Sequence, residues 1–273
     1  MFYPQNLHTH TTFCDGKHSC EEMILKAKAI GLTSLGFSGH SHSPYIKSNS
    51  SMSPDGTKEY QKEVARLKKK YEGEFEIFCG VEFEQYSDDP LVGYEYAIGS
   101  NHYLKLGGEV VGFDRSKEEV CRIIKVYFGG DGMKFAREYY RQFAELPNYG
   151  KFDIVGHFDL ITKNNEYGDL FDENSVEYRK YALDCLHTLA EKISVFEINT
   201  GAMTRGYRTT PYPNPFIIKE MQKLGVGIII SSDCHDGDFL TYGFDKAIEL
   251  CKACGVRELQ ILTKGGFKGI PLD

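Results

Sequence analysis

No apolar run in the sequence approaches the roughly 20 residues that a membrane-spanning helix needs. The first residues, Met1 to Asn6, also lack the basic start and apolar stretch of a secretory leader. The expectation is a protein with no membrane partner and a cytoplasmic address. An excess of positive charge is missing too. Lys and Arg number 32 against 39 Asp and Glu, a formal net charge of −7. That balance argues against a general nucleic-acid partner, which would call for a basic face. No internal repeat, low-complexity tract or linker divides the 273 residues, a length that one large domain or two small ones can fill. Cysteine is not scarce, with eight residues. Without an export signal these read as reduced thiols. Cys251 and Cys254 form a C-x-x-C pair, but the second pair of a structural zinc site is absent. They read as small helix residues.

What is present is an alternation. At 41% hydrophobic and 26% charged, the composition is that of an ordinary folded protein. Short β-type runs are each followed by a longer segment of helical period. The pattern predicts strands at Pro4–His10, Ser34–His40, Phe75–Glu82, Tyr94–His102, Asp153–His157, Val195–Asn199 and Val226–Asp233. It predicts helices at Cys20–Ile30, Thr57–Tyr71, Lys117–Tyr127, Met133–Leu146, Glu173–Lys192, Asn214–Leu224 and Phe244–Ala253. Glu258–Leu262 reads as an eighth strand or an edge. Such an order argues for an α/β architecture with a largely parallel sheet. Two segments interrupt it. His102 to Asp114 reads as a hairpin about Gly107-Gly108. Ser43 to Gly56, rich in serine and without apolar period, reads as a long loop placed to cover a site.

The histidines fall in phase with this pattern. His8 and His10 close the first predicted strand, and His40 and His42 the second. Glu82 closes the third, His102 follows the fourth, His157 closes the fifth, and Asp233 and His235 close the seventh. In a parallel barrel those strand ends share one face. In His8-x-His10, His40-x-His42 and Asp233-x-His235 the paired residues lie two apart, which on an extended chain puts both on one side. Asp15 follows the first pair in a Gly-containing loop. Imidazole with carboxylate, and no dedicated thiolate, suits zinc, manganese or iron. Cys14 and Cys234 lie close in sequence to these residues. A thiolate ligand is the lesser alternative, and Cys234 alternates away from Asp233 and His235 on an extended chain, so its side chain should face elsewhere.

The segments His8-Thr9-His10, Asp15-Gly16, Gly39-His40-Ser41-His42, Gly80-Val81-Glu82, Ser100-Asn101-His102, Gly156-His157-Phe158-Asp159 and Ser231-Ser232-Asp233-Cys234-His235 resemble those of the polymerase and histidinol phosphatase (PHP) superfamily. The likeness runs from the start of the chain to about residue 245. The hairpin after His102, and Asn199-Thr200-Gly201 with a following arginine, are similar to its monofunctional histidinol-phosphate phosphatases. The resemblance implies a distorted seven-stranded β/α barrel, TIM-like, spanning 1–273 as one domain and holding three divalent ions. It implies that His8, His10, Glu82 and Asp233 hold the first ion. Glu82 bridges to a second with His102 and His157, and Asp15, His40 and His235 hold a third. Many superfamily members carry histidine where Asp15 stands.

Three divalent ions with only Asp15, Glu82 and Asp233 as charged ligands leave an excess of positive charge. A phosphate monoester dianion and one hydroxide would balance it. Metal-bound water ionises near neutral pH, which supplies that hydroxide. Asp15, Glu82 and Asp233 therefore stand among the expected catalytic residues. His42, surplus to the ligand set, reads either as a phosphate contact and general acid or as a structural neighbour. Arg205 and Arg208 follow the sixth strand and are candidates for clamping phosphate, Arg205 being the nearer. Asp159 is a candidate for orienting a ligand histidine. His18 reads as a substrate contact or a turn cap, and His187 as a helix residue. Tyr45, Phe113, Tyr207 and Tyr212 are candidates for stacking on a heterocycle. The expected activity, on resemblance, is hydrolysis of L-histidinol phosphate, a small-molecule phosphate ester. The rivals are a phosphoesterase for another small ester or nucleotide, a nuclease, a metal-dependent amidohydrolase, and a non-catalytic metal-binding module.

Overall fold

The computed structural model describes residues 2–45 and 50–272. Its strands are β1 (Gln5–Asn6), β2 (Ser34–Phe37), β3 (Glu76–Glu84), β4 (Tyr96–Ser100), β5 (Tyr103–Leu106), β6 (Glu109–Gly112), β7 (Ile154–Val155), β8 (Val195–Asn199), β9 (Gly227–Ser231), β10 (Glu258–Thr263) and β11 (Gly266–Pro271). The helices are α1 (Cys20–Ala29), α2 (Pro54–Lys70), α3 (Lys117–Phe128), α4 (Gly132–Phe143), α5 (Val176–Ala190), α6 (Gly201–Thr204), α7 (Pro215–Leu224) and α8 (Phe244–Ala253). Seven strands form one sheet in the order β1-β2-β3-β4-β7-β8-β9, every pair parallel. The sheet curls until its ends meet. Thr9 bridges Cys234, with His10 N donating to Cys234 O at 2.8 Å and Cys234 N donating to His8 O at 3.1 Å. The expected β/α barrel is the fold. No helix among the described residues is long and apolar enough to cross a membrane.

Local chemistry sets the helix ends. Ser19 with Glu22, and Ser116 with Glu119, form reciprocal capping boxes at the starts of α1 and α3. Gly129 and Gly225 end α3 and α7 in the left-handed conformation. α2 starts earlier than predicted, at Pro54, because Ser53 Oγ accepts from Gly56 N at 3.0 Å and a proline at the first turn has no donor to lose. α4 stops at Phe143, and the chain tightens into a 3-10 turn at Leu146–Asn148, which contains Pro147. α5 starts at Val176, where the Ser175 side chain caps it. Of the predicted loop Ser43–Gly56, residues 46–49 lie outside the described residues, and its last three belong to α2.

The barrel interior is packed by Leu7, Phe78, Tyr96, Ile98, Ile154, Val195, Ile229 and Leu262. A larger apolar layer lies between the sheet and the helices. The predicted eighth strand does not join the barrel. β10 pairs antiparallel with β11, and this hairpin closes the floor. Leu262 enters the interior cluster, Leu262 N donates to Gln5 Oε1 at 2.7 Å, and Tyr3 hydroxyl donates to Gln260 O at 2.5 Å. Joining the curled sheet is impossible for β10, because β1 and β9 already close on each other above it.

Five of the seven barrel strands, all but β3 and β8, are also shorter than predicted at their functional ends. β1 stops at Asn6, and His8 and His10 lie beyond its ladder. Side chains take over the backbone donors there: His8 N donates to Asn6 Oδ1 at 3.0 Å and Thr9 N to Ser38 Oγ at 3.1 Å.

Candidate metal centre

Nine side chains converge above the C-terminal ends of the barrel strands. They fall into three overlapping groups whose donor atoms lie within 4.8 Å of one another: His8, His10, Glu82 and Asp233; Glu82, His102 and His157; and His10, Asp15, His40 and His235. Glu82 comes from the end of β3, is buried, and serves two groups with different oxygens. Its Oε2 lies 3.3 Å from His8 Nε2 and 3.5 Å from His10 Nε2. Its Oε1 lies 2.8 Å from His157 Nε2 and 3.5 Å from His102 Nε2. Asp233 Oδ1 closes the first group, 3.1 Å from His10 Nε2. Asp15 Oδ1 lies 3.3 Å from His235 Nε2 and 3.7 Å from His40 Nε2.

Three of the histidines are held in a common way. His8 Nδ1 lies 2.7 Å from Glu197 Oε1, His102 Nδ1 lies 2.8 Å from Glu84 Oε2, and His235 Nδ1 lies 2.9 Å from the Asp233 carbonyl. Each acceptor calls for a proton on Nδ1, which turns Nε2 into the cluster, where it is a lone pair whenever the ring is neutral. His8 Nε2 and His10 Nε2 are buried and have no hydrogen-bond partner, and Glu82 Oε2, also buried, meets the His40 ring, Nδ1 at 2.8 Å. Unsatisfied buried acceptors packed against one another are costly unless a cation lies between them. The donor set fits a divalent metal.

Electrostatics agree. Burial would raise the Glu82 carboxyl, but His8, His40 and His102 hold it well below the usual range. Burial likewise acts against Arg205 and His8 at Asp233, which stays well below its ordinary value. Both are carboxylates at neutral pH. Burial, with His235 and His40 beside it, pushes His10 down to about 3, so its imidazole is neutral. His40 goes the other way. Burial lowers it, but Glu82 and Asp15 lift it to about 10. A proton and a metal compete there, so binding releases protons.

Asp233 has a backbone φ of +48°, rare for a residue with a side chain. The extended geometry expected for Asp233-x-His235 therefore does not hold. The left-handed turn, not alternation, brings the two side chains to one place. Arg205 fastens it, with one nitrogen 2.8 Å from Asp233 Oδ2 and another donating to Asp233 O at 3.3 Å. Cys234 Sγ points away and donates to Asp236 O at 2.9 Å, and Cys14 Sγ sits 3.5 Å from His10 Nδ1; neither joins a group.

Above the cluster opens a cleft of about 380 Å³, lined among others by Asp15, His40, Glu84, His102, Tyr103, Asp114, Lys163, Arg205 and Tyr207. Several expected residues are not there. His42 turns outward to Asp88, its Nδ1 2.5 Å from Oδ1, and lines a separate depression with Pro90 and Val92. The two-residue alternation that carried it breaks because β2 ends at Phe37. Arg208 is buried under the loop, donating to Thr162 O at 2.8 Å beside Glu173. Asp159 touches no histidine. It accepts from Asn214 N at 2.9 Å, and burial pushes it up to about 7. Phe113 and Tyr212 are core residues, and of the four aromatics named only Tyr207 lines the cleft. His18 Nδ1 accepts from Gly237 N at 3.2 Å, which makes it a turn cap, and His187 sits on α5 beside Glu220.

Sequence reading missed Glu197 and Glu84. A signal existed for both. Glu197 is the one charged residue in the apolar run of β8, and Glu84 repeats the inward phase of Glu82. Glu197 is fully buried and also accepts from His157 N at 2.7 Å and Asn199 Nδ2 at 2.8 Å.

Known proteins resemble this chain over most of its length. The chain is 22% identical to the histidinol-phosphatase of Bacillus subtilis over 268 residues, 89% of this chain and 98% of that one. Against the crystal structure of a Lactococcus lactis histidinol phosphate phosphatase complexed with zinc, L-histidinol and phosphate, the TM-score is 0.69 at 19% identity, over 97% of this chain and 98% of that one. Against a Listeria monocytogenes protein provisionally assigned as a histidinol phosphatase, it is 0.75 at 20% identity, over 89% and 99%. The family model described as PHP domain matches residues 6–201, a stretch that begins on β1 and carries seven of the nine clustered side chains. By that match over most of its length, with the cluster it encloses, the chain belongs to the PHP domain family.

Proposed function

We propose that this protein is a metal-dependent phosphomonoesterase that hydrolyses L-histidinol phosphate to L-histidinol and phosphate, the dephosphorylation step of histidine biosynthesis. The observation that carries the reading is Glu82, which offers one oxygen to each of two buried histidine groups at the floor of an open cleft. Three ions would be held by His8, His10, Glu82 and Asp233, by Glu82, His102 and His157, and by Asp15, His40 and His235. Zinc, manganese or iron suits those donors. When bound, such ions supply Lewis acidity toward phosphate oxygens and make water ionise near neutral pH.

The chain's own residues do the rest. Glu197 and Glu84 keep Nε2 of His8 and His102 turned inward. Arg205 is fixed on Asp233 and faces the cleft, so its charge lies beside any phosphate bound at the floor. Lys163 adds a second cation on the same wall. His42, facing away, is withdrawn as proton donor, and Arg208 as a phosphate contact. The relatives' names support the substrate, and the eight unpaired cysteines support a cytoplasmic, reducing location.

The test is phosphate release by chelator-stripped protein reconstituted with each metal, on L-histidinol phosphate, other monoesters and a dinucleotide phosphodiester. The expected result is metal-restored release with the highest kcat/KM on histidinol phosphate. A higher kcat/KM on another ester would keep the metal site and discard the substrate.

A further inference from the structure

The three groups of the metal centre are not built alike. In the first two, the side chains of Glu82, His8, His10 and His157 are at most 1% exposed. The most open members there, His102 and Asp233, reach 14% and 10%. Ligands of both groups are also held from outside: His8 by Glu197, His102 by Glu84 and Asp233 by Arg205. Asp15, His40 and His235 differ on both counts. Their side chains are 34%, 19% and 27% exposed, and all three line the cleft. Among the described residues the Asp15 carboxylate meets only imidazoles, those of His235, His40 and His10 at 3.3, 3.7 and 3.9 Å. His40 Nδ1 is held by Glu82 Oε2, an oxygen that the first group also claims. Beside His235 stands a fixed cation, since one Arg205 nitrogen lies 3.5 Å from its Nδ1. The seat itself is firm. Cys14 N and Gly16 N both donate to Thr11 O at 3.0 Å, and Lys17 N donates to His235 O at 2.8 Å. The backbone around Asp15 is thereby tied to the backbone of His235.

We propose that Asp15, His40 and His235 form an exchangeable metal site, filled from solution together with a phosphate-type anion, while the ions of the other two groups are resident. The inference rests on the metal centre of the reading above and ranks its sites. A ligand with no partner behind it is ordered by the ion alone, and a missing partner of that kind lowers metal affinity about 10- to 100-fold. Exposure acts in the same direction, because water competes for the donors. The Arg205 guanidinium places a like charge beside the ion. An anion removes both handicaps. Three protein donors leave at least one coordination position open to the cleft. An anion bound there completes the shell and offsets the charge of the ion and of Arg205 together. By linkage, ion and anion then raise each other's affinity by the same factor. The firm backbone lets the ion leave and return without remaking the site.

The test is a metal count that needs no turnover. The full chain is loaded with zinc and titrated with a chromophoric chelator, with and without inorganic phosphate. Two phases are expected. One zinc per chain should leave with a Kd at least about 10-fold above that of the other two. Phosphate should tighten that phase alone, by about 5-fold or more. Asp15→Asn should abolish the weak phase and keep the two tight ions, with helix content unchanged by circular dichroism. Imidazole NMR signals assign the phase in the parent itself, so the proposal does not depend on that variant folding. The signals of His40 and His235 should move through the weak phase while those of His8 and His157 stay. Release of all ions in a single phase would overturn the proposal. So would a weak phase that phosphate leaves unmoved, that survives Asp15→Asn, or that moves His8 and His157 instead. Hydrolysis is scored apart: a fully loaded chain that releases phosphate from no ester overturns the phosphatase reading, and the metal count still decides the site.

Discussion

At the scale of single residues, the site is a set of histidines aimed by their second nitrogen. Glu197 is the clearest case, since one buried carboxylate holds His8 Nδ1 and His157 N together. Glu197→Gln keeps the shape but presents an amide where an imidazole proton needs a full acceptor. Metal affinity should fall about 10- to 100-fold, measured by competition with a chromophoric chelator, with helix content unchanged by circular dichroism. The two arginines after β8 divide in the opposite sense to their similar positions in the chain. Arg208→Met removes a buried cation from beside Glu173 and Thr162 O, so denaturant unfolding should show a loss of about 3 kcal/mol or more. Arg205→Met acts at the cleft and should lower kcat/KM for phosphate esters at least 10-fold while costing less stability. Much of this shell was legible. The nine clustered residues stand out because few other forces place histidine and carboxylate at successive strand ends. His42 and Arg208 misled for a shared reason. Sequence distance from a strand end says nothing about which way a loop turns once the ladder has stopped.

At the scale of elements, the barrel depends on close approach as much as on apolar runs. Tyr96 lies inside, its hydroxyl donating toward Leu7 O at 2.5 Å and Phe37 O at 3.1 Å. It fits because Gly36 and Gly80 have no side chain to meet it. A Cβ on Gly80 would fall 2.2 Å from the Tyr96 ring. Gly80→Ala should therefore cost about 1–3 kcal/mol through overpacking, read as a lower urea midpoint with unchanged slope. Gly80-Val81-Glu82 looked informative for its glutamate alone, and the glycine's role needs the neighbouring strand to be seen. The alternating elements were readable because hydrophobic period differs between strand and helix. The floor hairpin of β10 and β11 was half-read. Glu258–Leu262 has strand composition, but its partner Gly266–Pro271, with glycines and a lysine, carries almost no apolar signal.

At the scale of the whole molecule, the clustered side chains come from segments spread from His8 to His235. Metal ions bound among them would tie together parts of the chain that otherwise meet through little backbone pairing. Anything that binds only the folded state stabilises it by mass action, about 2.7 kcal/mol at a hundredfold excess over Kd. Stripping with a chelator should lower the melting temperature by several degrees, and zinc should restore it together with activity. A melting temperature indifferent to zinc would mean that the cluster is not a tight metal site.

The place where the sheet closes has a consequence for the order in which the molecule opens. β1 is two residues long, and the backbone contact that closes the sheet beyond it rests on the Thr9–Cys234 bridge and its two hydrogen bonds, with the Asn6 side chain reaching Ser232 Oγ at 2.7 Å. His8 and His10 stand on one lip of that seam and Asp233 on the other. The metals would act as a clasp across a zipper only two stitches long. In hydrogen–deuterium exchange of the stripped protein, the amides of His10 and Cys234 should lose protection before those of β3 and β8. Zinc should move them from the fast set to the slowest.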